Sequence, residues 1–321
     1  MSKTITLSEC AARLREAEDV LILTHGRPDG DTIGSAAALC ALLRGMGKTA
    51  YIFENSDITP KLKPFINDCL SPEGFEPKLI CAVDVAGEHL FTDTVKERFS
   101  GKVELCIDHH GTNDLYAAET FVKAEAAACA EIIIDLAHEL GIELTQDIAL
   151  PAYLGLSTDT GCFRYSSVRP ETLRAAADAI ATGIDFYKIN REFFEVRTRA
   201  AMEVERAVLS ATEFYRNGTV AISRLTLADV EKAHADGDDT NNLSSVLRQI
   251  EGVELGILLR ENDKGGWKVS ARSAPGIDSA AICAHLGGGG HAAAAGATVK
   301  ADYDTAHKMV LEAAAAELNS L

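Results

Sequence analysis

The sequence lacks the features of a membrane or exported protein. No apolar run approaches the roughly 18 residues that a membrane-spanning helix needs. The first residues carry acids, among them Glu9, Glu16 and Glu18, where a signal peptide has basic and apolar residues. The eight cysteines stand singly, without a Cys-x-x-Cys pair, and most lie in apolar runs. We therefore expect a cytoplasmic protein with buried, reduced thiols and no membrane partner.

Positive charge is scarce as well. The chain has 31 lysines and arginines against 48 aspartates and glutamates, which gives a net charge of −17. Proteins that bind long nucleic acid through its phosphates spread positive charge over a surface, so a long duplex is not an expected partner. A short anionic substrate needs only a local positive site, which metal ions and one or two arginines can supply. An acidic surface equally serves solubility, so the charge is compatible with either role.

Acids and histidines, by contrast, gather at the ends of apolar segments that are typical of buried strands or helices. These groups are His25, Asp29 and Asp31 after residues 20–23; Asp84 after residues 79–83; Asp108, His109 and His110 after residues 105–107; and Asp159 after residues 153–156. Ligand sites in parallel α/β sheets form at the carboxyl ends of strands, so we expect the groups to lie close together. Carboxylates and imidazoles hold divalent metal ions, and a two-metal centre best serves the hydrolysis of phosphate esters.

The segment from His25 to Asp31 is suited to such a centre. Pro28 and Gly30 predict a sharp turn, which would point His25, Asp29 and Asp31 at one small volume. The helix expected to begin near Asp31 would direct its amino end to the same place and favour anionic ligands there. One acid after a strand is ordinarily a loop residue or a helix cap, but that interpretation does not account for all four groups.

Together these motifs resemble a known family. The set His-x3-Asp-x-Asp, Asp84, Asp-His-His and Asp159 resembles the signature of the DHH phosphoesterase superfamily. Near the other end, Ser270-Ala-Arg272-Ser273, followed by four glycines, His291 and a run of alanines, is similar to the DHHA1 substrate-binding domain. The match covers nearly the whole chain in the right order. The short chain resembles the bacterial nanoRNase and 3′-phosphoadenosine-5′-phosphate phosphatase group, because it has no room for the additional domains of RecJ-type exonucleases.

The order of the segments predicts an α/β fold. Short apolar runs alternate with amphipathic segments, which implies a mostly parallel sheet with helices on both faces. We predict a DHH catalytic, metal-binding domain over residues 1–190, a helical connector without a strand over residues 191–216, and a smaller α/β DHHA1 substrate-binding domain over residues 217–321. The resemblance implies an active site in the cleft between the two domains.

The candidate metal ligands divide between two ions. Asp84, at the end of a middle strand, is the candidate for a carboxylate that bridges both ions, and the resemblance implies the same role. The remaining candidate ligands are His25 and Asp29 for one ion, and Asp31, His109 and Asp159 for the other. Mixed imidazole and carboxylate ligands favour manganese over magnesium, and the resemblance also implies manganese.

The two adjacent histidines are expected to differ in role. Neighbouring residues at a strand end point in different directions, so one would bind metal and the other would face the substrate. The resemblance implies that His109 is the ligand and that His110 is the catalytic residue, which stabilises charge on the phosphate or donates to the leaving oxygen. Asp108, the second catalytic candidate, would orient a histidine.

The candidate substrate-binding residues lie in the second predicted domain. They are Arg272, Ser273, Gly288, Gly289, Gly290 and His291. The guanidinium of Arg272 matches the geometry of a phosphate. The glycines permit close backbone approach and a nest of N–H donors, and they equally suit a flexible turn. His291 could stack on a base or bind a terminal phosphate, and alanine at all four positions 292–295 departs from the family's motif and leaves base specificity open.

The resemblance implies a manganese-dependent hydrolase with phosphodiesterase and phosphatase activity. One substrate would be RNA of about two to five nucleotides, including linear dinucleotides, for which a local positive site suffices. The other would be 3′-phosphoadenosine 5′-phosphate, and both would be hydrolysed by two-metal activation of water. The alternatives are an inorganic pyrophosphatase with the same metal domain and a nucleotide sensor that has lost catalysis. A homodimer is compatible with the sequence.

Overall fold

The chain forms two compact units, Met1–Val196 and Arg197–Leu321. The computed structural model describes residues 2–237, 239–240 and 243–318. The first unit contains the strands β1 (Lys3–Thr4), β2 (Val20–Leu23), β3 (Ala50–Ile52), β4 (Leu79–Val83), β5 (Leu105–Asp108) and β6 (Glu119–Val122). Its helices are α1 (Leu7–Glu16), α2 (Gly30–Gly45), α3 (Asp93–Phe99), α4 (Cys129–Leu140), α5 (Gln146–Asp159), α6 (Pro170–Ala181) and α7 (Phe186–Asn190), with short 3-10 turns at Lys63–Phe65, Asn67–Cys69 and Glu88–Leu90 and a π-helical turn at Arg191–Glu195.

The strands of the first sheet run parallel in the order β1-β6-β5-β4-β2-β3. After β2 the chain passes through α2 to β3 on one side, and it later returns to β4 on the other side of β2. The strand order therefore reverses between β2 and β4. Ligands of open α/β sheets bind at the carboxyl ends of strands beside such a reversal, and the segments that follow β2 and β4 carry His25 and Asp84.

Alternate residues of these strands are buried against opposite faces of the sheet. Ile22 and Val83 belong to the core formed with α2, α4 and α5. Leu23 and Ala82 belong to a second core, which includes Val95 of α3. Burial on both faces explains why the strands are uninterrupted apolar runs. The prediction of a parallel sheet with helices on both faces is confirmed.

Helices α2 and α5 pack with their backbones in contact. A Cβ atom added to Gly34 would lie 2.4 Å from the carbonyl oxygen of Pro151 and 2.7 Å from the amide nitrogen of Gly155. A Cβ atom added to Gly155 would lie 2.6 Å from Oδ1 of Asp31. This close approach brings the beginning of α2, with Asp31, beside the end of α5, with Asp159.

The second unit contains a mixed sheet in the order β11-β12-β10-β9-β8-β7. Its strands are β7 (Glu213–Tyr215), β8 (Val220–Leu225), β9 (Leu255–Glu261), β10 (Trp267–Ser273), β11 (Gly289–His291) and β12 (Ala294–Val299). Its helices are α8 (Arg199–Ser210), α9 (Leu227–Ala233), α10 (Leu243–Leu247), α11 (Ser279–Ala284) and α12 (Tyr303–Leu318), with a 3-10 turn at Arg216–Gly218. Strands β8 and β9 are parallel and the other pairs are antiparallel. Helices α11 and α12 contribute to one core of this unit, and α8 and α10 contribute to the other.

Several predicted elements differ from the structure. The predicted connector, residues 191–216, is divided between the units: Arg191–Glu195 belongs to the first, whereas α8 packs in a core of the second and β7 is a strand where only helix was predicted. The glycine run leads into the hairpin of β11 and β12. None of the helices formed by the described residues combines the length and apolarity that crossing a membrane requires.

Candidate metal centre

The acids and histidines predicted as metal ligands come together in the first unit. Three groups of three have ligand atoms that lie within 4.8 Å of one another. The groups are His25, Asp29 and Asp84; Asp31, His109 and Asp159; and Asp84, His109 and His110. Asp84 and His109 each belong to two groups. The structure thus brings all six candidate ligands into one small volume, with Asp84 shared between neighbouring groups.

Asp84 is the most unusual of these residues. It follows β4, it is buried to 3% exposure, and its backbone is left-handed with φ +56°. Its Oδ2 accepts a hydrogen bond from Oγ1 of Thr32 at 2.5 Å. Its Oδ1 is buried without a hydrogen-bond partner among the residues that the structure describes, and Nε2 of His109 lies 3.4 Å away. A buried carboxylate oxygen without a donor is costly, and a bound cation would satisfy it.

The two acids at the start of α2 also act as helix caps. Asp29 caps α2, because its Oδ1 accepts from the amides of Asp31 and Thr32 at 3.0 Å each. Asp31 caps α4 from a distance, since its carboxylate accepts from the amides of Cys129 at 2.6 Å and Ala130 at 3.0 Å. Capping is the ordinary role of a single acid at a strand or helix end, and here it fixes the orientation of two acids of the cluster.

The concentration of carboxylates shifts the protonation of the cluster. Burial, and then the charge of Asp84, raise the pKa of Asp31 well above its usual value. Burial likewise raises the pKa of Asp159 to about 6, with Asp84 and Asp29 adding to the shift and His109 opposing it. Burial lowers the pKa of His109, but Asp84 and Asp31 outweigh it and raise the pKa to about 10. So much negative charge in one place is suited to divalent cations.

The ring of His109 has a fixed orientation. Its Nδ1 lies 3.1 Å from the carbonyl oxygen of Ala126, and therefore Nδ1 carries the proton and donates it. Its Nε2 lies 3.8 Å from Asp31, 3.4 Å from Asp84 and 3.7 Å from Asp159. A histidine that donates one ring N–H to a carbonyl and turns the other nitrogen to carboxylates has the usual arrangement of a metal ligand.

His110 and Asp108 form a separate pair. Nδ1 of His110 lies 2.8 Å from Oδ1 of Asp108, which also accepts from the amide of His109, and Oδ2 accepts from Nδ2 of Asn113 at 2.7 Å. Burial raises the pKa of Asp108, but the hydrogen bonds from His110 and Asn113 outweigh it and the pKa is lowered. The His110 side chain is 44% exposed, so its Nε2 is the nitrogen left to face a substrate.

Sequence reasoning missed three contributors to this centre: Thr32, Asn113 and the carbonyl of Ala126. Each acts on a predicted residue through a tertiary contact, and an isolated threonine, asparagine or alanine carries no pattern. Of the three, only the carbonyl of Ala126 has a signal in the sequence. It lies in a run of small residues before α4, which allows the backbone to approach the cluster closely.

The predicted substrate-binding residues lie in the second unit. Arg272 on β10 and His291 on β11 are both paired with Ala294 on β12. Directly paired residues of antiparallel strands have side chains on one face, so the arginine and the histidine flank this alanine. Two residues along the same face, Gly289 of β11 is paired with Gly296 of β12. Because neither glycine has a side chain, the backbone of these two strands is bare at this row.

Other members of the predicted set have structural roles. The hydroxyl of Ser273 lies within hydrogen-bond distance of the carbonyl oxygens of Ile277 and Ala292, which joins two loops. A Cβ atom added to Gly288 would lie 2.1 Å from the carbonyl oxygen of Gly296. Gly290 has φ +147° and the same lack of space. These two glycines allow close packing within the hairpin.

Known protein families and relatives match most of this chain. Residues 19–156 match the DHH family, N-terminal domain, and residues 217–320 match the DHHA1 domain. The bifunctional oligoribonuclease and PAP phosphatase NrnA of Thermus thermophilus is 34% identical, over 93% of this chain and 90% of that protein. The protein of the same name from Bacillus subtilis is 26% identical, over 92% of this chain and 93% of that protein.

Solved structures show the same fold. An exopolyphosphatase-related protein from Bacteroides fragilis has a TM-score of 0.85 and 24% identity, over 96% of this chain and 95% of its own. The exonuclease RecJ, in a structure bound to manganese, has a TM-score of 0.51 and 15% identity, over 98% of this chain and 95% of its own. The resemblance found in the motifs is thereby confirmed, and the chain belongs to the DHH family and carries the family's DHHA1 domain.

Proposed function

We propose that this chain hydrolyses phosphate esters of very short RNA, including linear dinucleotides, to release mononucleotides, and that it removes the 3′ phosphate of 3′-phosphoadenosine 5′-phosphate. The observation that carries the proposal is the buried Asp84 carboxylate, which is shared between two ligand groups and whose Oδ1 lacks a donor among the described residues. The names of the relatives from Thermus thermophilus and Bacillus subtilis support this substrate class.

The donor set fits two divalent ions. His25, Asp29 and Asp84 would hold one ion, and Asp31, His109 and Asp159 the other. Oδ1 of Asp84 lies 3.4 Å from Nε2 of His109, so the same carboxylate would also reach the second ion. Two imidazoles among the donors favour manganese over magnesium, which prefers oxygen ligands and water. When bound, such ions activate water and neutralise charge on the phosphoryl oxygens.

His110 would serve the leaving oxygen. Its Nδ1 is held by Asp108, whose lowered pKa keeps the carboxylate ionised as the acceptor. Asn113 fixes the other oxygen of Asp108, so the imidazole cannot turn freely. The same hydrogen bond with Asp108 raises the pKa of His110 and favours the protonated ring. The exposed Nε2–H of that ring can donate its proton to the departing oxygen or a hydrogen bond to the phosphoryl group.

The second unit would recognise the rest of the nucleotide. Strands lie about 4.8 Å apart, so Arg272 and His291, two strands apart, are separated by roughly 10 Å across Ala294. The guanidinium would bind a phosphate. The bare row at Gly289 and Gly296 would let a flat base or sugar rest on the backbone.

The alternatives are less well supported than this proposal. Arg272 and His291, which flank Ala294 on one face of the sheet, support recognition of a nucleotide, which an inorganic pyrophosphatase does not require. The complete set of candidate metal ligands supports catalysis rather than a silent sensor. A homodimer stays a prediction.

A turnover comparison tests the function. The purified chain would be incubated with manganese and, separately, diadenylate, 3′-phosphoadenosine 5′-phosphate, pyrophosphate and a long RNA, with Asp84→Asn as the matched inactive control. We expect AMP from the first two substrates and little product from the others. Product from pyrophosphate alone would favour the pyrophosphatase, and no product from any substrate would favour the sensor.

A further inference from the structure

Glu131 is a buried acid whose role the proposed reaction does not explain. It lies in the first turn of α4 and is 1% exposed. Its Oε1 accepts from Nη2 of Arg169 at 2.6 Å and from Nζ of Lys123 at 3.1 Å. Its Oε2 accepts from Oγ1 of Thr172 at 2.7 Å and from the amide of Ala127 at 3.3 Å. Both oxygens are therefore fully engaged, and one of the four donors is a backbone amide of the segment before α4.

The same segment contacts two candidate ligands of one ion. The carbonyl oxygen of Ala126 accepts the Nδ1–H of His109, while the amides of Cys129 and Ala130 bind the carboxylate of Asp31. Ala127, which Glu131 holds, lies between these two contacts. A displacement of the segment would therefore turn the His109 ring and move Asp31 together.

The local sequence explains why such an anchor is needed. The residue before α4 is Ala128, which has no side-chain oxygen to cap the helix. Asp31 instead caps the first two amides of α4, and Glu131 reaches back to the amide of Ala127. Arg169 and Thr172 then fasten Glu131 to the beginning of α6.

We propose that Glu131 is a positioning residue for the metal site of Asp31, His109 and Asp159. It acts through the backbone of residues 126–130, and it sets the affinity for one ion without touching the ion or the substrate. This inference rests on the proposed metal centre. Partners of metal ligands that orient them contribute typically 10- to 100-fold to metal affinity, and Glu131 stands one contact further out, so we expect an effect of about tenfold.

The test uses Glu131→Gln in the full-length chain. A carboxamide has the same shape but cannot accept from both sides, so its NH₂ group must face either the two cations or the Thr172 hydroxyl and Ala127 amide. Manganese binding to the metal-free protein would be measured by titration calorimetry, and turnover of diadenylate would be measured against manganese concentration. We expect one of two binding events to weaken by about tenfold, while turnover at saturating manganese stays close to that of wild type.

Asp135→Asn is the matched control. The carboxylate of Asp135 binds Lys123 at 2.7 Å, and among the residues that the structure describes it forms no hydrogen bond or ion pair with residues 126–130. This variant therefore disturbs the same ion-pair network away from the segment. It should leave both binding events unchanged. Thr172→Ala, which removes one donor and keeps both cations, should shift the same binding event as Glu131→Gln by a smaller factor.

The outcomes separate this inference from the proposed function. If wild type binds two ions and Glu131→Gln binds them equally well, the positioning role is overturned and the proposed function stands. A lowered melting temperature with unchanged affinity would assign Glu131 to stability alone and would also overturn it. If Glu131→Gln does not accumulate as folded protein, unchanged affinity in Thr172→Ala decides against the role. Failure of wild type to bind manganese would overturn both proposals.

Discussion

The hydrogen bond from Thr32 to Asp84 offers the sharpest test of how the chain prepares its metal site. Thr32 is fully buried, and its Oγ1 lies 2.5 Å from Oδ2 of Asp84. A hydrogen bond to a charged group contributes about 1.5–3 kcal/mol. Partners that orient metal ligands contribute typically 10- to 100-fold to metal affinity, so Thr32→Val should weaken metal binding roughly ten- to a hundredfold. Valine has the same shape, so the core around α2 should remain filled.

The assay is calorimetric titration of the metal-free protein with manganese, supported by turnover against manganese concentration. Because Asp84 is shared, both binding events should weaken in Thr32→Val, whereas Asp29→Ala should weaken chiefly one. Thr32→Ser keeps the hydroxyl and is the matched control, so it should retain most of the affinity. Manganese binding by Thr32→Val that equals wild type would refute the reasoning that Thr32 prepares Asp84.

Three further predictions address the histidine pair, the second unit and the packing of α2. His109→Ala should be partly rescued by high manganese, whereas His110→Ala should keep its metal and lose roughly 10²–10⁴ in turnover; identical manganese dependence of the two variants would contradict the assignment. Arg272→Ala should raise KM for dinucleotides with both ions still bound, and Arg272→Lys should restore little because lysine lacks the two-pronged geometry; unchanged dinucleotide kinetics would place recognition elsewhere. Gly34→Ala should lower the free energy of unfolding by about 1–3 kcal/mol, because the added Cβ meets backbone atoms of α5. Gly45→Ala, with open space around the added Cβ, is the control and should not lower it. If chemical denaturation gives Gly34→Ala the same free energy of unfolding as wild type, the close packing of α2 and α5 is contradicted.

The sequence predicted the first sheet and its polar edge because both depend on local patterns. Fully buried strands such as β4 are continuous apolar runs, and a strand that ends in Asp84 places the acid at the carboxyl edge whatever surrounds it. Short elements that depend on tertiary contacts carry no such pattern. Strand β6 is only partly buried, and β12 begins with alanines that pair with β10 although alanine has little preference for strands.

The supporting contacts of the centre could not be predicted in the same way. Asp31 was expected as a ligand, but its role as the cap of α4 joins residues 98 and 99 positions apart in the sequence. Thr32 belongs to an apolar helix and carries no motif of its own. The pairing of His110 with Asp108, rather than of His109 with Asp108, depends on side-chain directions that the sequence does not encode locally.

Metal content of Asp84→Asn is the most direct test of the central claim that one buried carboxylate serves two ions. Asparagine is tolerated at the left-handed φ of +56° and keeps the shape of the side chain, so the variant removes the charge with little backbone strain. The wild type, Asp29→Ala and Asp84→Asn would be loaded with manganese, desalted and analysed by mass spectrometry for metal. We predict two ions per wild-type chain, loss chiefly of one in Asp29→Ala, and loss of both, together with turnover, in Asp84→Asn. Two ions retained in Asp84→Asn would contradict the account.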